Sequence, residues 1–251
     1  MKYKSHGNFY SGTSGLVVPV PKHSFPPEFE DKSRLTFYAS LLNSIEINSS
    51  FYKLPRGITI RKWAESVPAD FKFTFKLWKE VTHNKGLTFR TEDLENFMKA
   101  IDEAGDKKGC LLIQFPPSLK ADNIIQLSHL LDAVQNTNAD NAWKVAIEFR
   151  DRSWYKDEVY ELIDQYEYTM VLHDKASSNA PLQELTADFI YLRFHGPEGN
   201  YRGSYDDDFL YEYAQYIKAW LEDGKSVYVY FNNTMGAALD NLSKLNKFAG
   251  S

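Results

Sequence analysis

Cysteine is almost absent from this chain. Cys110 stands alone in 251 residues, so neither a disulfide framework nor a thiolate metal cluster can form within it. Charge of one sign is not in excess either: 29 Lys and Arg face 34 Asp and Glu, a formal net charge of -5, with the signs interspersed. That argues against non-specific nucleic-acid binding, which needs a basic footprint. No apolar run approaches the length that spans a bilayer. No apolar segment follows the opening Met1-Lys2-Tyr3-Lys4-Ser5-His6. These absences together lead us to expect a cytoplasmic protein with no membrane partner. Pro, Gly and Ser nowhere cluster into a linker, and no sequence repeat of 20–50 residues is present, so residues 1–251 read as one domain.

What the chain does have is a series of eight short apolar runs, each ending in polar or charged residues. They are Asn8–Thr13, Ser44–Asn48, Phe71–Lys76, Cys110–Gln114, Val145–Arg150, Thr169–Asp174, Phe189–His195 and Val227–Asn233. Segments of helical periodicity separate most of them. Ser33 is placed to cap a helix reaching Leu42. Thr91 opens another, with Leu94, Phe97, Met98 and Ile101 on one face and Gly105 as its stop. Further helices are expected from Asp122, over Asp157–Tyr166, over Asp206–Asp223 and over Gly236–Phe248. The stretches Ile58–Val67 and Leu182–Ala187 are short, which predicts weak or irregular helices there. Eight strands alternating with helices predict an α/β fold, a single (β/α)8 TIM-type barrel whose site lies at the C-terminal ends of the strands.

Side chains alternate between the two faces of a strand, so parity sorts the run ends. Phe71, Phe73 and Phe75 must meet the helices, which sends Lys72, Thr74 and Lys76 to the interior. The same parity puts Glu46, Asn48, Gln114, Glu148, Arg150, Arg193 and His195 inside, with Tyr228, Tyr230 and Asn232. The expected mouth is polar and densely charged.

Several of these blocks carry a family likeness. Gly12-Thr13-Ser14-Gly15, Ser44-Ile45-Glu46-Ile47-Asn48-Ser49-Ser50-Phe51-Tyr52, Gln114-Phe115-Pro116-Pro117-Ser118 and Ala146-Ile147-Glu148-Phe149-Arg150 with Ser153-Trp154 resemble the YecE-like domain-of-unknown-function family. So do Arg193-Phe194-His195-Gly196, Tyr201-Arg202-Gly203-Ser204-Tyr205 and Tyr228-Val229-Tyr230-Phe231-Asn232-Asn233, in the same order along nearly the whole chain. The resemblance implies a TIM-type barrel and no established reaction, so it assigns no catalytic roles. Its comparison with endonuclease-IV and sugar-isomerase barrels is an analogy of fold. The chain departs from the family pattern after Gly15, where Leu16-Val17-Val18-Pro19-Val20-Pro21 replaces the usual aromatics, and at Thr234, where an acidic residue is more usual.

Three readings of the mouth stay open. In the leading one, an enzyme performs metal-free acid/base chemistry on a small anionic substrate, phosphorylated ones included. Glu148 and His195 would exchange protons, with Glu46 as a further catalytic carboxylate. Arg193 and Lys76 would clamp the anion, and Arg150, Asn48, Gln114, Asn232, Arg202, Tyr52 and Trp154 would complete the binding site. The alternative for the two glutamates is that they neutralise the interior cations. A second reading is an endonuclease-IV-like, metal-dependent phosphodiester hydrolase, with His173, Asp174, His195, Glu46 and Glu148 as potential ligands. Lys76, Arg150 and Arg193 weigh against it by repelling a metal ion, so no cofactor is predicted and a divalent metal is the lesser option. A third reading is a non-catalytic module that binds a ligand or nucleic acid.

Overall fold

The computed structural model describes residues 7–138, 141–182 and 186–250. Its first half runs β1 (Phe9–Thr13), α1 (Arg34–Leu41), β2 (Ser44–Ile47), α2 (Ser49–Tyr52), α3 (Gly57–Glu65), β3 (Lys72–Lys76), α4 (Lys79–Thr82), α5 (Thr91–Ile101) and β4 (Lys108–Gln114). The second half runs α6 (Ile124–Thr137), β5 (Lys144–Glu148), α7 (Asp157–Asp164), β6 (Thr169–Met170), β7 (Leu172–His173), β8 (Phe189–Phe194), α8 (Asp207–Glu222), β9 (Ser226–Phe231) and α9 (Ala238–Ala249). Among the described residues no helix is long and apolar enough to cross a membrane.

Two of the expected helix starts carry side-chain caps. Ser33 Oγ accepts the Thr36 N–H at 3.0 Å, and Asp206 Oδ1 accepts that of Phe209 at 2.7 Å. Two helix expectations change. Helix α5 ends at Ile101, and a tight 3-10 turn over Asp102–Lys107 carries the chain through Gly105 at φ 58°. The region of Ile58–Val67 forms a regular nine-residue helix, α3. The short helices α2 and α4 were unforeseen, being too brief to show a period. Of Leu182–Ala187, residues 183–185 lie outside the described residues, and no helix forms in the rest.

All strand pairs are parallel, in two sheets ordered β2-β3-β4-β5-β6 and β1-β9-β8-β7. The expected strand Thr169–Asp174 is broken at Val171, and this break is what serves both sheets. Its first part pairs with β5 and its second with β8, while the Val171 N–H reaches the Ile147 carbonyl at 2.8 Å. Strands buried on both faces suit parallel sheets covered by helices. On one face, Phe73, Phe75, Leu111 and Ile147 join Leu94, Phe97 and Leu131 from the helices. Leu192, Phe194, Val229 and Phe231 do the same with Leu210, Ile217 and Leu242. The opposite faces bring Cys110, Leu112, Ala146, Val171, Tyr191, Tyr228 and Tyr230 into one cluster. Tyr230 reaches from β9 to Ser44 Oγ on β2 (2.6 Å) and Thr74 Oγ1 on β3 (2.7 Å), so the two sheets face each other across these side chains.

The edge between β1 and β2 is held by few bonds. Ser14 and Glu46 form an isolated parallel bridge, and the Gly15 N–H donates to the Glu46 carbonyl at 2.8 Å. The Tyr38 hydroxyl accepts the Thr13 N–H at 2.8 Å and donates to the Ser44 carbonyl at 2.9 Å. Gly12 allows this close approach, because a Cβ there would lie 2.0 Å from the Ser44 carbonyl oxygen. Gly12→Ala should therefore separate β1 from β2 and cost about 1–3 kcal/mol, in the range of an overpacked core. Urea unfolding measures this; an unchanged midpoint would show that the edge does not depend on the contact.

Candidate functional site

The C-terminal strand ends deliver the expected charges to one place because the registers match. Glu46 lies opposite Thr74, Gln114 opposite Glu148, His173 opposite Arg193, and Arg193 opposite Tyr230. Glu46 and Glu148 are fully buried, and Arg193 between them is 1% exposed. Arg193 Nη2 donates to Glu46 Oε1 at 2.7 Å, and its Nη1 donates to Glu148 Oε2. Glu148 Oε1 forms an ion pair with Arg150 Nη2. Glu46 also accepts from Ser14 Oγ at 2.7 Å and from the Tyr191 hydroxyl at 2.6 Å. The result is an alternating row, Glu46–Arg193–Glu148–Arg150, of the kind burial demands of charges.

Burial alone would raise both carboxyl pKa values, but the guanidiniums outweigh it. Arg193, with hydrogen bonds from Tyr191 and Ser14, holds Glu46 below the usual carboxylate range. Arg150 and Arg193 hold Glu148 well below it. Burial would lower the pKa of Arg193, and the two glutamates raise it instead. Both glutamates are therefore ionised at neutral pH.

His195 lies against the end of this row, fully buried. Its Nε2 is 3.0 Å from Arg150 Nη2 and 3.5 Å from Arg193 Nη1. Its Nδ1 is 3.3 Å from Asp174 Oδ1, which also accepts the His195 backbone N–H at 2.7 Å. Burial lowers the imidazole pKa; Asp174 opposes that, and the two arginines reinforce it. The ring is thus held neutral. His173 sits nearby, ring centroids 5.8 Å apart, with Nε2 at 3.1 Å from the Phe149 carbonyl, and burial lowers its pKa to about 4.

Lys76 forms the other wall. Its Nζ donates to Gln114 Oε1 at 2.6 Å and lies 4.1 Å from the centre of the Phe51 ring. Burial, then Arg193, lower its pKa to about 8, with Arg150 adding to the effect and the glutamates opposing it. Among the described residues, the buried polar atoms without a hydrogen-bond partner include Arg150 Nη1, Arg193 Nε and Asn48 Oδ1.

Glu46, Glu148, Arg150, Arg193 and His195 thus form one network, with Lys76 and Gln114 beside it. Asn232 is half-buried just past β9. Tyr52 is 70% exposed and meets Phe51 edge-on. Arg202 lies exposed on the loop after β8. Trp154 is not at the mouth: it is fully buried, stacks on Phe149 at 4.6 Å and donates from Nε1 to the Leu119 carbonyl at 2.8 Å. It anchors its loop, because a large ring finds more contact in the core than at a rim. Among the described residues, no three His, Cys, Asp or Glu side chains are grouped so as to hold a metal ion. Arg193 occupies the space between the two glutamates that a metal would need.

Tyr191 and Ser14 belong to the site and were not expected there, while Tyr205, from the Tyr201-Arg202-Gly203-Ser204-Tyr205 block, bonds Asp174. Tyr191 precedes Arg193 by two residues on the same strand, so parity carried its signal. Ser14 and Tyr205 arrive from loops, where no periodicity operates.

The family model described as "Protein of unknown function DUF72" matches residues 10–251. UPF0759 protein YunF of Bacillus subtilis (strain 168) is 24% identical over 250 residues, covering 86% of each chain. The crystal structure of a DUF72 family protein from Thermotoga maritima MSB8 superposes with a TM-score of 0.77 at 26% identity, covering 97% of this chain and all (100%) of that one. A xylose isomerase-like TIM barrel/4-hydroxyphenylpyruvate dioxygenase fusion protein superposes with a TM-score of 0.52 at 11% identity, over 98% of this chain and 44% of the other, which is a likeness of fold alone.

Arg193→Met should remove the shared partner of two buried carboxylates and cost about 3–5 kcal/mol at pH 7. The two glutamates have depressed pKa values, so the stability they contribute is present at neutral pH and lost as pH falls through the acidic range. The gap between variant and wild type should therefore narrow below about pH 4. Urea titrations at both pH values measure it; a loss at pH 7 under about 1 kcal/mol would contradict the pairing described.

Proposed function

This chain belongs to the DUF72 family, whose description assigns no reaction, and we propose that it is an enzyme acting on a small anionic substrate by metal-free acid/base chemistry. The site would be the C-terminal mouth of a single closed (β/α)8 barrel. The passage of the chain from one sheet to the other through Val171, and the Ser14–Glu46 bridge, support the closed ring.

The observation that carries the reading is the neutral, buried His195 facing a guanidinium that still has an unpartnered nitrogen. A neutral imidazole would accept a proton near neutral pH once Arg150 Nη2, which donates to Nε2, turns to the bound anion, and a carboxylate on its far nitrogen orients it and stabilises the imidazolium that forms. Arg193 is committed to two glutamates, so the anion falls to Arg150 Nη1 and Lys76 Nζ. Those two groups, with Asn48 and Gln114, would hold the substrate beside His195 Nε2. Glu148 holds Arg150 and Arg193 in place and balances the imidazolium. Its strongly depressed pKa favours that electrostatic part over donating a proton itself.

Lys76 also sets the sign of the pH dependence. Its ammonium binds an anion below its pKa and loses that charge above it, so affinity should hold to about pH 8 and fall beyond it. Calorimetric titration with inorganic phosphate, phosphomonoesters and small carboxylates tests this at pH 7 and pH 9. We expect binding at pH 7, weakened about tenfold or more by Lys76→Gln and by Arg150→Gln, the scale of one lost charge-assisted hydrogen bond. His195→Gln should bind but not convert any member of the panel that the wild type converts. Binding without conversion by the wild type would favour the non-catalytic reading. Absence of binding, or binding indifferent to both cation substitutions, would overturn the proposal.

A further inference from the structure

A tyrosine from the loop that follows His195 ends on the carboxylate that holds His195. Asp174 follows β7, His195 follows β8, and Tyr205 closes the glycine-rich loop after β8. Asp174 Oδ1 accepts the His195 backbone N–H at 2.7 Å and faces His195 Nδ1 at 3.3 Å. Asp174 Oδ2 accepts the Tyr205 hydroxyl proton. The Tyr205 oxygen in turn accepts the Gly196 N–H at 2.5 Å. Both carboxylate oxygens are thereby committed, one to the histidine and one to the loop.

The tautomer follows from what each neighbour can do. Asp174 Oδ1 already accepts from a backbone N–H, so Nδ1 must carry the ring hydrogen that faces it. A guanidinium only donates, so Nε2, 3.0 Å from Arg150 Nη2, must be the bare nitrogen. The two sides of the ring give the same answer independently.

The loop itself is folded back over the ring. Gly196, Gly199, Tyr201 and Gly203 all have positive φ, and the Tyr201 N–H donates to the His195 carbonyl at 2.7 Å. The Tyr201 ring lies 5.8 Å from the imidazole, and Lys175 Nζ bonds the Gly199 carbonyl at 2.9 Å. Tyr205 is 5% exposed and stacks on Phe209 at 4.6 Å.

We propose that Asp174 and Tyr205 are positioning residues: through Asp174, Tyr205 makes the Nδ1–H tautomer of His195, and so the aim of the bare Nε2 at Arg150, conditional on the loop 195–205 being folded. This rests on the reading of His195 as the proton acceptor of the site. The groups that act on the ring are Asp174, Arg150 and Glu148 from neighbouring strand ends, Arg193 on its own strand and His173 alongside. Among the described residues, Asp174 is the group within hydrogen-bonding reach of Nδ1.

Nitrogen-15 NMR of the histidine rings in the full chain tests the proposal without any substrate. In the wild type at pH 7–8, above the ordinary histidine pKa of about 6.5, the proton should sit on Nδ1, with Nε2 bare. Tyr205→Phe removes a donor from Asp174 and concentrates its charge on the imidazole, so the His195 protonation constant should rise about threefold or more. Asp174→Asn removes that charge, so the constant should fall by a similar factor. Opposite shifts are the signature of groups acting in series. Movement of both variants to an ordinary histidine value would mean that the pair merely packs the loop, and would overturn the proposal. Identical titration in all three proteins, or a proton on Nε2 in the wild type, would overturn it as well. The spectra are recorded without anion, so failure of the anion titrations leaves this result standing, and the reverse.

Discussion

The structure depends on one guanidinium shared between two buried carboxylates. Arg193 comes from β8 in one sheet, and Glu46 and Glu148 come from β2 and β5 in the other. The pairing therefore joins the sheets as well as neutralising the charges. Directly beneath it lie Cys110, Leu112, Ala146 and Val171, which offer no polar partner. In such surroundings an uncompensated carboxylate is far costlier than in water, so the row can persist only with each charge matched. The Tyr191 and Ser14 hydroxyls complete the satisfaction of Glu46, and the Tyr230 hydroxyl, bonded to Ser44 and Thr74, begins the apolar floor.

This constraint also decides which cations remain for a ligand. Arg193 satisfies both glutamates and is fully enclosed. Arg150 uses Nη2 on Glu148 and His195 and keeps Nη1 unpartnered, while Lys76 has one side-chain acceptor, Gln114, and the face of Phe51. The two glutamates cancel Arg193 and Arg150, and Asp174 beside His195 offsets the charge of Lys76. Under the proposed function, an anion would meet the Lys76 ammonium and Arg150 Nη1 beside the neutral His195.

Much of this was legible in the sequence because parity is a strong constraint. Once Phe71, Phe73 and Phe75 are assigned to the helix side, Lys76 has only the interior, and the same reasoning places Glu46, Glu148, Arg193 and His195. Parity says nothing about loops, and there the reading failed or fell short. Trp154 was expected at the mouth and is buried against Phe149. Tyr205 stands in the Tyr201-Arg202-Gly203-Ser204-Tyr205 block, and it reaches Asp174 because the loop turns back through four residues of positive φ. The break at Val171 left no trace in the run Thr169–Asp174, since each half of the strand has ordinary strand composition and only the two partners differ. Clamping by Arg193 was a fair inference from an inward arginine, but pairwise distances decide what a guanidinium binds, and sequence does not contain them.

The most direct test of the central claim is a crystal structure of the protein with inorganic phosphate at pH 7. The account predicts the anion on Lys76 Nζ and Arg150 Nη1, beside His195 Nε2, with Arg193 still bonded to both Glu46 and Glu148. Phosphate bound by Arg193 in place of a glutamate, or bound only outside the strand ends, would contradict it.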